Sequence, residues 1–250
     1  MSTRTSQHYD VVIAGARCAG AATAMLLARQ GARVLLLDRS RYGTDTLSTH
    51  ALMRGAVLQL HRWGLLPRVI AAGTPPVRSA TFHLPGAVST VQIKPRHGVE
   101  ALYAPRRIVL DAILADAARS AGADVRFGAS VTGLRRNRAG RVTGITGRVG
   151  AARLEVSADL VIGADGRRST IARCVGAAAA HIAPASSAVI YRYFRDDATA
   201  GYHWHFAASS GSPRSAETAT RCTTTPRPRR RPDSARSSSR AASPAPSSTP

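Results

Sequence analysis

The chain has 250 residues, of which 44% are hydrophobic and 5% aromatic, and a formal net charge of +21. That suffices for one large domain or two small ones with a buried core. A charge this basic raises a nucleic-acid partner, but no helix-like segment carries a continuous basic stripe with interleaved aromatics, so no specific nucleic-acid binding is expected.

Residues 11–14 form a short apolar run ending at Gly15, which reads as a buried parallel strand. Residues 19–30 are rich in Ala, Leu and Met and read as a helix, stopped by Gly31. Residues 33–37 are a second buried strand with Asp38 at its end. Together they make one βαβ unit. Gly15 permits a tight strand-to-helix turn, and Gly20 permits close helix–sheet packing. The helix start offers free N–H groups and a positive dipole end to a pyrophosphate. Asp38 follows Gly20 by eighteen residues and can accept from ribose hydroxyls, which favours FAD or NAD over NADP. The second glycine of this fingerprint is replaced by Arg17 in Gly15-Ala16-Arg17-Cys18-Ala19-Gly20. Its guanidinium can pair with a pyrophosphate or hinder the approach.

Residues 52–63 read as a helix closed by Gly64. Residues 81–83 and 90–93 read as strands joined across Pro85-Gly86. Residues 107–121 are the clearest amphipathic helix, with Leu110, Ile113, Leu114, Ala117 and Ala118 at three- and four-residue steps and Gly122 at the end. Short strands follow at 124–127, 130–134, 141–146, 153–156 and 160–162, with a turn at 137–140. The last strand runs into Gly163-Ala164-Asp165-Gly166, and a helix can start at Ser169. Residues 188–194 and 202–206 read as further strands.

Residues 207–250 contain no Val, Ile, Leu, Met, Phe, Tyr or Trp, but eleven Ser, eight Arg and seven Pro. Such a segment cannot bury enough apolar surface to offset ordering, so a disordered tail is expected. The abrupt change in a chain with one lysine, Lys94, suits a frameshift in a GC-rich gene.

Cys18, Cys174 and Cys222 form no CxxC pair, which points away from a zinc–thiolate site or disulfides and toward a reducing, cytoplasmic setting. Neither a signal core nor a membrane span is expected. His203 and His205 share one strand face. With no third ligand nearby in sequence, a solvated or substrate-facing strand is expected there and no metal. Tyr202, Trp204 and Phe206 share the other face as core. Cys18 sits at a helix start, which can lower a thiol pKa.

The N-terminal fingerprint and the Ala158–Ser169 stretch, with its Asp165-Gly166 turn, together resemble the FAD-dependent monooxygenases of the aromatic hydroxylase type. Geranylgeranyl reductases and halogenases share this layout. The resemblance implies an α/β fold, a Rossmann-type FAD-binding domain interleaved with a β-rich substrate segment. Residues 8–75 and 97–178 would bind FAD, and 76–96 and 179–206 would supply substrate-domain strands. It implies cofactor contacts at Gly15, Ala16, Arg17, Ala19, Gly20, Asp38, Arg39, Arg107, Val131, Asp165 and Gly166. Arg107 would stand near the flavin phosphates, the backbone of Val131 would meet the adenine, and the loop holding His50 would lie near the flavin. NAD(P)H would reduce the flavin, and oxygen would be transferred to a small organic substrate. A prenyl-lipid reductase and an inactive truncated FAD-binding fragment are the alternatives. The family's third motif, a Gly-Asp pair, does not follow Phe206, so the chain resembles the family's first half.

Overall fold

The computed structural model describes residues 8–48, 50–182 and 201–206, and the backbone of 218–222. It is an α/β fold. Strand β1 (His8–Ala14), helix α1 (Cys18–Arg29) and strand β2 (Val34–Asp38) form the βαβ unit. Helices α2 (Arg54–Arg62) and α3 (Leu66–Ala71) follow, then strands β3 (Pro76–Val77), β4 (Ser79–Leu84), β5 (Ala87–Gln92) and β6 (Leu102–Tyr103). Next come helix α4 (Arg107–Ser120) and strands β7 (Asp124–Phe127), β8 (Ala129–Arg136), β9 (Val142–Val149) and β10 (Ala152–Gly163). Helix α5 (Thr170–Cys174) and strands β11 (Tyr202–Phe206) and β12 (Thr218–Cys222) complete the described elements.

The main sheet has the order β7-β2-β1-β10-β9-β8, with β7, β2, β1 and the end of β10 parallel. Alternation along β1 and β2 serves two cores. Val11, Ile13, Val34 and Leu36 join the larger core with α1 and α4 residues such as Met25, Leu110 and Leu114. Val12, Leu35 and Leu37 join Ala129, Ile145, Val156 and Ala158 of the meander β8-β9-β10. Both faces are covered, which is why these strands are continuously apolar in sequence.

Strand β10 departs from the sequence reading, which made two strands of it. Its first half pairs antiparallel with β9 and its second half parallel with β1. The roles overlap at Ser157, which faces His8 on one side and Gly144 on the other. Gly144 has φ 148°, and a Cβ there would stand 2.0 Å from the Val156 carbonyl oxygen. The polar run around Asp159 reads locally as a break, but the strand continues because each half has its own partner.

A second sheet has the order β12-β11-β4-β5, and β3 pairs with β6. The β4–β5 hairpin turns at Pro85-Gly86 as expected, with Leu84 facing Ala87. The β3–β6 pair and the six-residue α3 carry no clear periodicity and were not expected. The expected strand at 188–194 lies outside the described residues. Strand β12 corrects the expectation that nothing orders after residue 206: it pairs antiparallel with β11. Thr218 and Thr220 are β-branched, and an existing edge supplies hydrogen bonds that apolar content does not. Among the described residues, no helix is long and apolar enough to cross a membrane.

At one sheet edge the Tyr9 hydroxyl donates to Asp124 at 2.7 Å, and Arg126 donates to both. Burial and Asp124 push the Tyr9 pKa up to about 12. Partial burial tends to raise the Asp124 carboxyl, but hydrogen bonds from Arg126 and Tyr9 outweigh it and hold it below the ordinary range. Its contribution is therefore present above the unfolded value of about 3.9 and is lost as pH falls through the lower folded value. Asp124→Asn should lower Tm near neutral pH, with variant and parent converging at the acid end of a Tm–pH profile. Leu36 is fully buried. Leu36→Ala should cost about 2–5 kcal/mol in urea unfolding.

Candidate functional site

The site is built where β1 and β10 end side by side. Gly15 follows β1 with φ 103°. A Cβ on it would stand 2.3 Å from the Ala164 carbonyl oxygen and 2.9 Å from the Asp165 amide nitrogen. A Cβ on Gly20 would stand 1.8 Å from the Gly15 carbonyl oxygen. Both glycines are therefore obligatory, because only a bare backbone fits. Two motifs distant in sequence thus meet as one object. The Ala164 amide donates to the Ala14 carbonyl at 2.7 Å, and the Gly15 amide to the Leu37 carbonyl at 2.7 Å.

Helix α1 starts at this turn, with Arg17 as its extended N-cap and no side-chain cap. Its first amides, including that of exposed Ala19, have no intrahelical acceptor and form an anion-receptive end. The Ala16 amide donates to Asp38 Oδ2 at 2.7 Å. Asp38 Oδ1 accepts from the Ser40 amide at 2.7 Å and the Ser40 hydroxyl at 2.5 Å. A carboxylate accepts about four hydrogen bonds, so about one position is left for a ribose hydroxyl. Arg39 is exposed on the loop that follows.

The Arg17 side chain turns toward α4 and stays partly exposed at the cleft. Its Nη1 donates to Asp111 Oδ2 of α4 at 3.2 Å. Arg107, at the start of α4, reaches the same carboxylate, with its Nε 3.1 Å and its Nη2 2.9 Å from Oδ1. Asp111 is buried and compensated by both guanidiniums. Two cations against one anion leave one positive charge beside the open helix end. The Cys18 thiol also donates to Asp111, at 3.2 Å. Burial and the Asp111 charge push its pKa up to about 11. Helix-start geometry alone suggests a lowered value, so desolvation wins here.

The loop after β2 docks on α4. Arg106 pairs with Asp45, and the Ile108 amide donates to Asp45 Oδ1 at 3.3 Å. This helix-start anchor was not read from the sequence. His50 lies in the same region, buried and at φ 59°. Burial lowers its pKa, so the ring is neutral at neutral pH. Tyr42 bonds to Asp116 at 2.8 Å and packs edge-on against Phe127. Ala16, Arg17, Ser40, Tyr42, Asp111 and Phe127 line a shallow cleft at the strand ends.

Asp165 spends its carboxylate on α5, accepting from the Ser169 hydroxyl at 2.5 Å and the Thr170 amide at 2.6 Å. What it presents toward Gly15 is backbone. Gly166 turns the chain at φ 84°. Val131 packs with the smaller core and borders a register shift in β8 between Val131 and Gly133. The structure thus gathers Gly15, Ala16, Arg17, Ala19, Gly20, Asp38, Arg107 and Asp165 around one turn. Val131 stands apart on the meander.

A separate cavity of about 280 Å³ lies under the second sheet. Phe82, Ile93, Leu102, Tyr202, Trp204 and Phe206 are among its walls. The Tyr202 hydroxyl donates to the Tyr103 carbonyl at 3.0 Å, so the lining formed by the described residues is apolar.

Residues 8–242 match the family described as FAD binding domain. The chain belongs to that family. Its relatives include digeranylgeranylglycerophospholipid reductase 2 of Methanothermobacter thermautotrophicus, 36% identical over 170 residues, covering 67% of this chain and 42% of that protein. Another is 12-dehydrotetracycline 5-monooxygenase/anhydrotetracycline 6-monooxygenase of Streptomyces rimosus, 31% identical over 169 residues, covering 67% of this chain and 33% of that protein. The chain thus spans less than half the length of these curated relatives. A geranylgeranyl bacteriochlorophyll reductase-like protein of Thermoplasma acidophilum superimposes with a TM-score of 0.65 at 22% identity, covering 86% of this chain and 55% of that one. These likenesses establish the α/β flavoprotein fold and leave the individual activity open.

The cradle fits the family's cofactor, since a dinucleotide needs the bare glycine turn, the open helix end and a net positive charge. Gly15→Ala should abolish FAD binding and lower Tm, read by flavin fluorescence and calorimetry. Cys18 in the folded chain should resist alkylation at pH 8 and react only toward pH 11, followed by mass spectrometry. Fast modification at pH 8 would contradict the buried Asp111 contact.

Proposed function

We propose that the chain is the cofactor-binding part of an FAD-dependent oxidoreductase, and that the activity is oxygen-dependent hydroxylation of an apolar small molecule with NAD(P)H as electron donor. The observation that carries the cofactor assignment is the fit of Gly15 and Gly20 against Ala164 and the start of α1. In this reading the first amides of α1, with Arg17 and Arg107, hold the pyrophosphate. Asp38 uses its remaining acceptor position on the adenosine ribose, and Arg39 borders it. The Val131 backbone meets the adenine, and the Asp165-Gly166 turn closes the cradle. Bound FAD supplies the redox chemistry. The protein's own residues bind, orient and exclude water, and the apolar cavity under the second sheet receives the substrate.

The bare apolar lining of that cavity also favours a second reading, reduction of a prenyl lipid. The archaeal relative supports it. The two separate by oxygen use. A hydroxylase consumes oxygen with NAD(P)H in a substrate-dependent way, whereas a reductase turns over anaerobically once its flavin is reduced.

Titration of FAD into the purified chain tests the shared premise, with saturable quenching of flavin fluorescence expected. Arg107→Ala should weaken binding about 10- to 100-fold, the worth of one or two charge-assisted hydrogen bonds. A parent chain that folds but leaves the fluorescence unchanged would refute the assignment.

A further inference from the structure

The sequence offers His203 and His205 on one strand face without a third ligand. The fold supplies one. Strand β11 pairs parallel with β4, and the register sets His205 opposite His83. The Nε2 of His83 and the Nδ1 of His203 are 3.1 Å apart across 120 residues of sequence. The rings of His83 and His205 stack with centroids 4.1 Å apart and an interplanar angle of 5°. One ring nitrogen from each of the three lies within 4.8 Å of the others.

We propose that His83, His203 and His205 form a binding site for a divalent transition metal, with Zn²⁺ the best match, which clips β4 to β11. Zinc–imidazole bonds of about 2.0–2.1 Å in a tetrahedron place ligand nitrogens about 3.3 Å apart. The His83–His203 pair already has that spacing. His205 is exposed, so a side-chain rotation brings its nitrogen in without disturbing the core. Among the described residues the set is three imidazoles with neither thiolate nor carboxylate, which selects Zn²⁺, Cu²⁺, Ni²⁺ or Co²⁺ over Ca²⁺ and Mg²⁺ and leaves the fourth position to water.

The site is separate from the cofactor cradle and from the apolar cavity. Side chains alternate along a strand. Phe82, Tyr202, Trp204 and Phe206 point into the cavity, and the histidines between them occupy the opposite face. A metal here therefore acts as a structural clip behind the cavity wall, tying together strands that are distant in sequence. Among the described residues, a second group of potential ligands, His8, Asp10 and Asp159, is weaker: Asp10 is engaged by Arg33 and Asp159 is largely exposed.

The test uses the full chain, purified without a polyhistidine tag and stripped with a chelator. Zn²⁺ is titrated by calorimetry, and Co²⁺ is added as a spectroscopic probe. Saturation at one equivalent, a rise in Tm with Zn²⁺, and the visible bands of tetrahedral rather than octahedral Co²⁺ are expected. Changes outside the ligand set alone cost about 10- to 100-fold in metal affinity. Loss of a ligand in His205→Ala or His83→Ala should therefore weaken Zn²⁺ binding at least 100-fold. His205 is exposed, so its variant should fold like the parent, with circular dichroism as the check. His61→Ala, on the exposed face of α2, should bind like the parent. No saturable Zn²⁺ uptake by the folded parent would overturn the proposal. So would equal affinity in parent and His205→Ala.

Discussion

Gly15 and the Ala164 carbonyl lie so close that a side-chain carbon on the glycine would stand 2.3 Å from the oxygen. This approach decides where α1 begins, how near it sits to the sheet, and which backbone groups face the space beyond the strand ends. Gly20 repeats the requirement from the helix side, where an added Cβ would stand 1.8 Å from the Gly15 oxygen. With both positions bare, β1, α1 and the end of β10 close on one another and the amides of α1 are left open. A methyl group on either would push the turn from the sheet and open the cradle.

The charges around the cradle are arranged by burial. Asp111 lies where an unpaired carboxylate would be costly, so it draws in Arg17 and Arg107. That resolves the replacement of the usual second glycine by arginine, because the side chain is occupied along α4 and the turn stays clear. Burial, reinforced by the same carboxylate, makes Cys18 a poor nucleophile. Net positive charge thus reaches the helix end through a compensated trio, with no bare cation in the turn.

Much of this was legible in the sequence, and unevenly so. The βαβ unit and α4 have periodicities set by their own burial, so the pattern shows them directly. The glycine fingerprint carries its own stereochemistry. By contrast, β10 needs two different partners to be one strand, and β12 is defined by its pairing with β11. Asp45 reads as a polar loop residue until the loop is seen docked on α4. Asp165 reads as a cofactor contact, yet its carboxylate caps α5 and only its backbone turns toward Gly15. His83 is unremarkable in its hairpin and gains meaning only from a register with a strand 120 positions away. What stayed hidden was long-range pairing, which one-dimensional spacing does not encode.

The dual pairing of β10 also bears on how the chain is made. The first strand emerges from the ribosome early, but its parallel neighbour on one side is near the far end of the described segment. Until that strand arrives, β1 carries an open edge and the glycine turn has nothing to close against. The βαβ unit can fold locally, yet the cradle waits for a contact of very high sequence separation, the kind that forms slowly. A nascent chain therefore passes through a period with an apolar strand edge exposed, and that edge is a natural target for chaperones during synthesis.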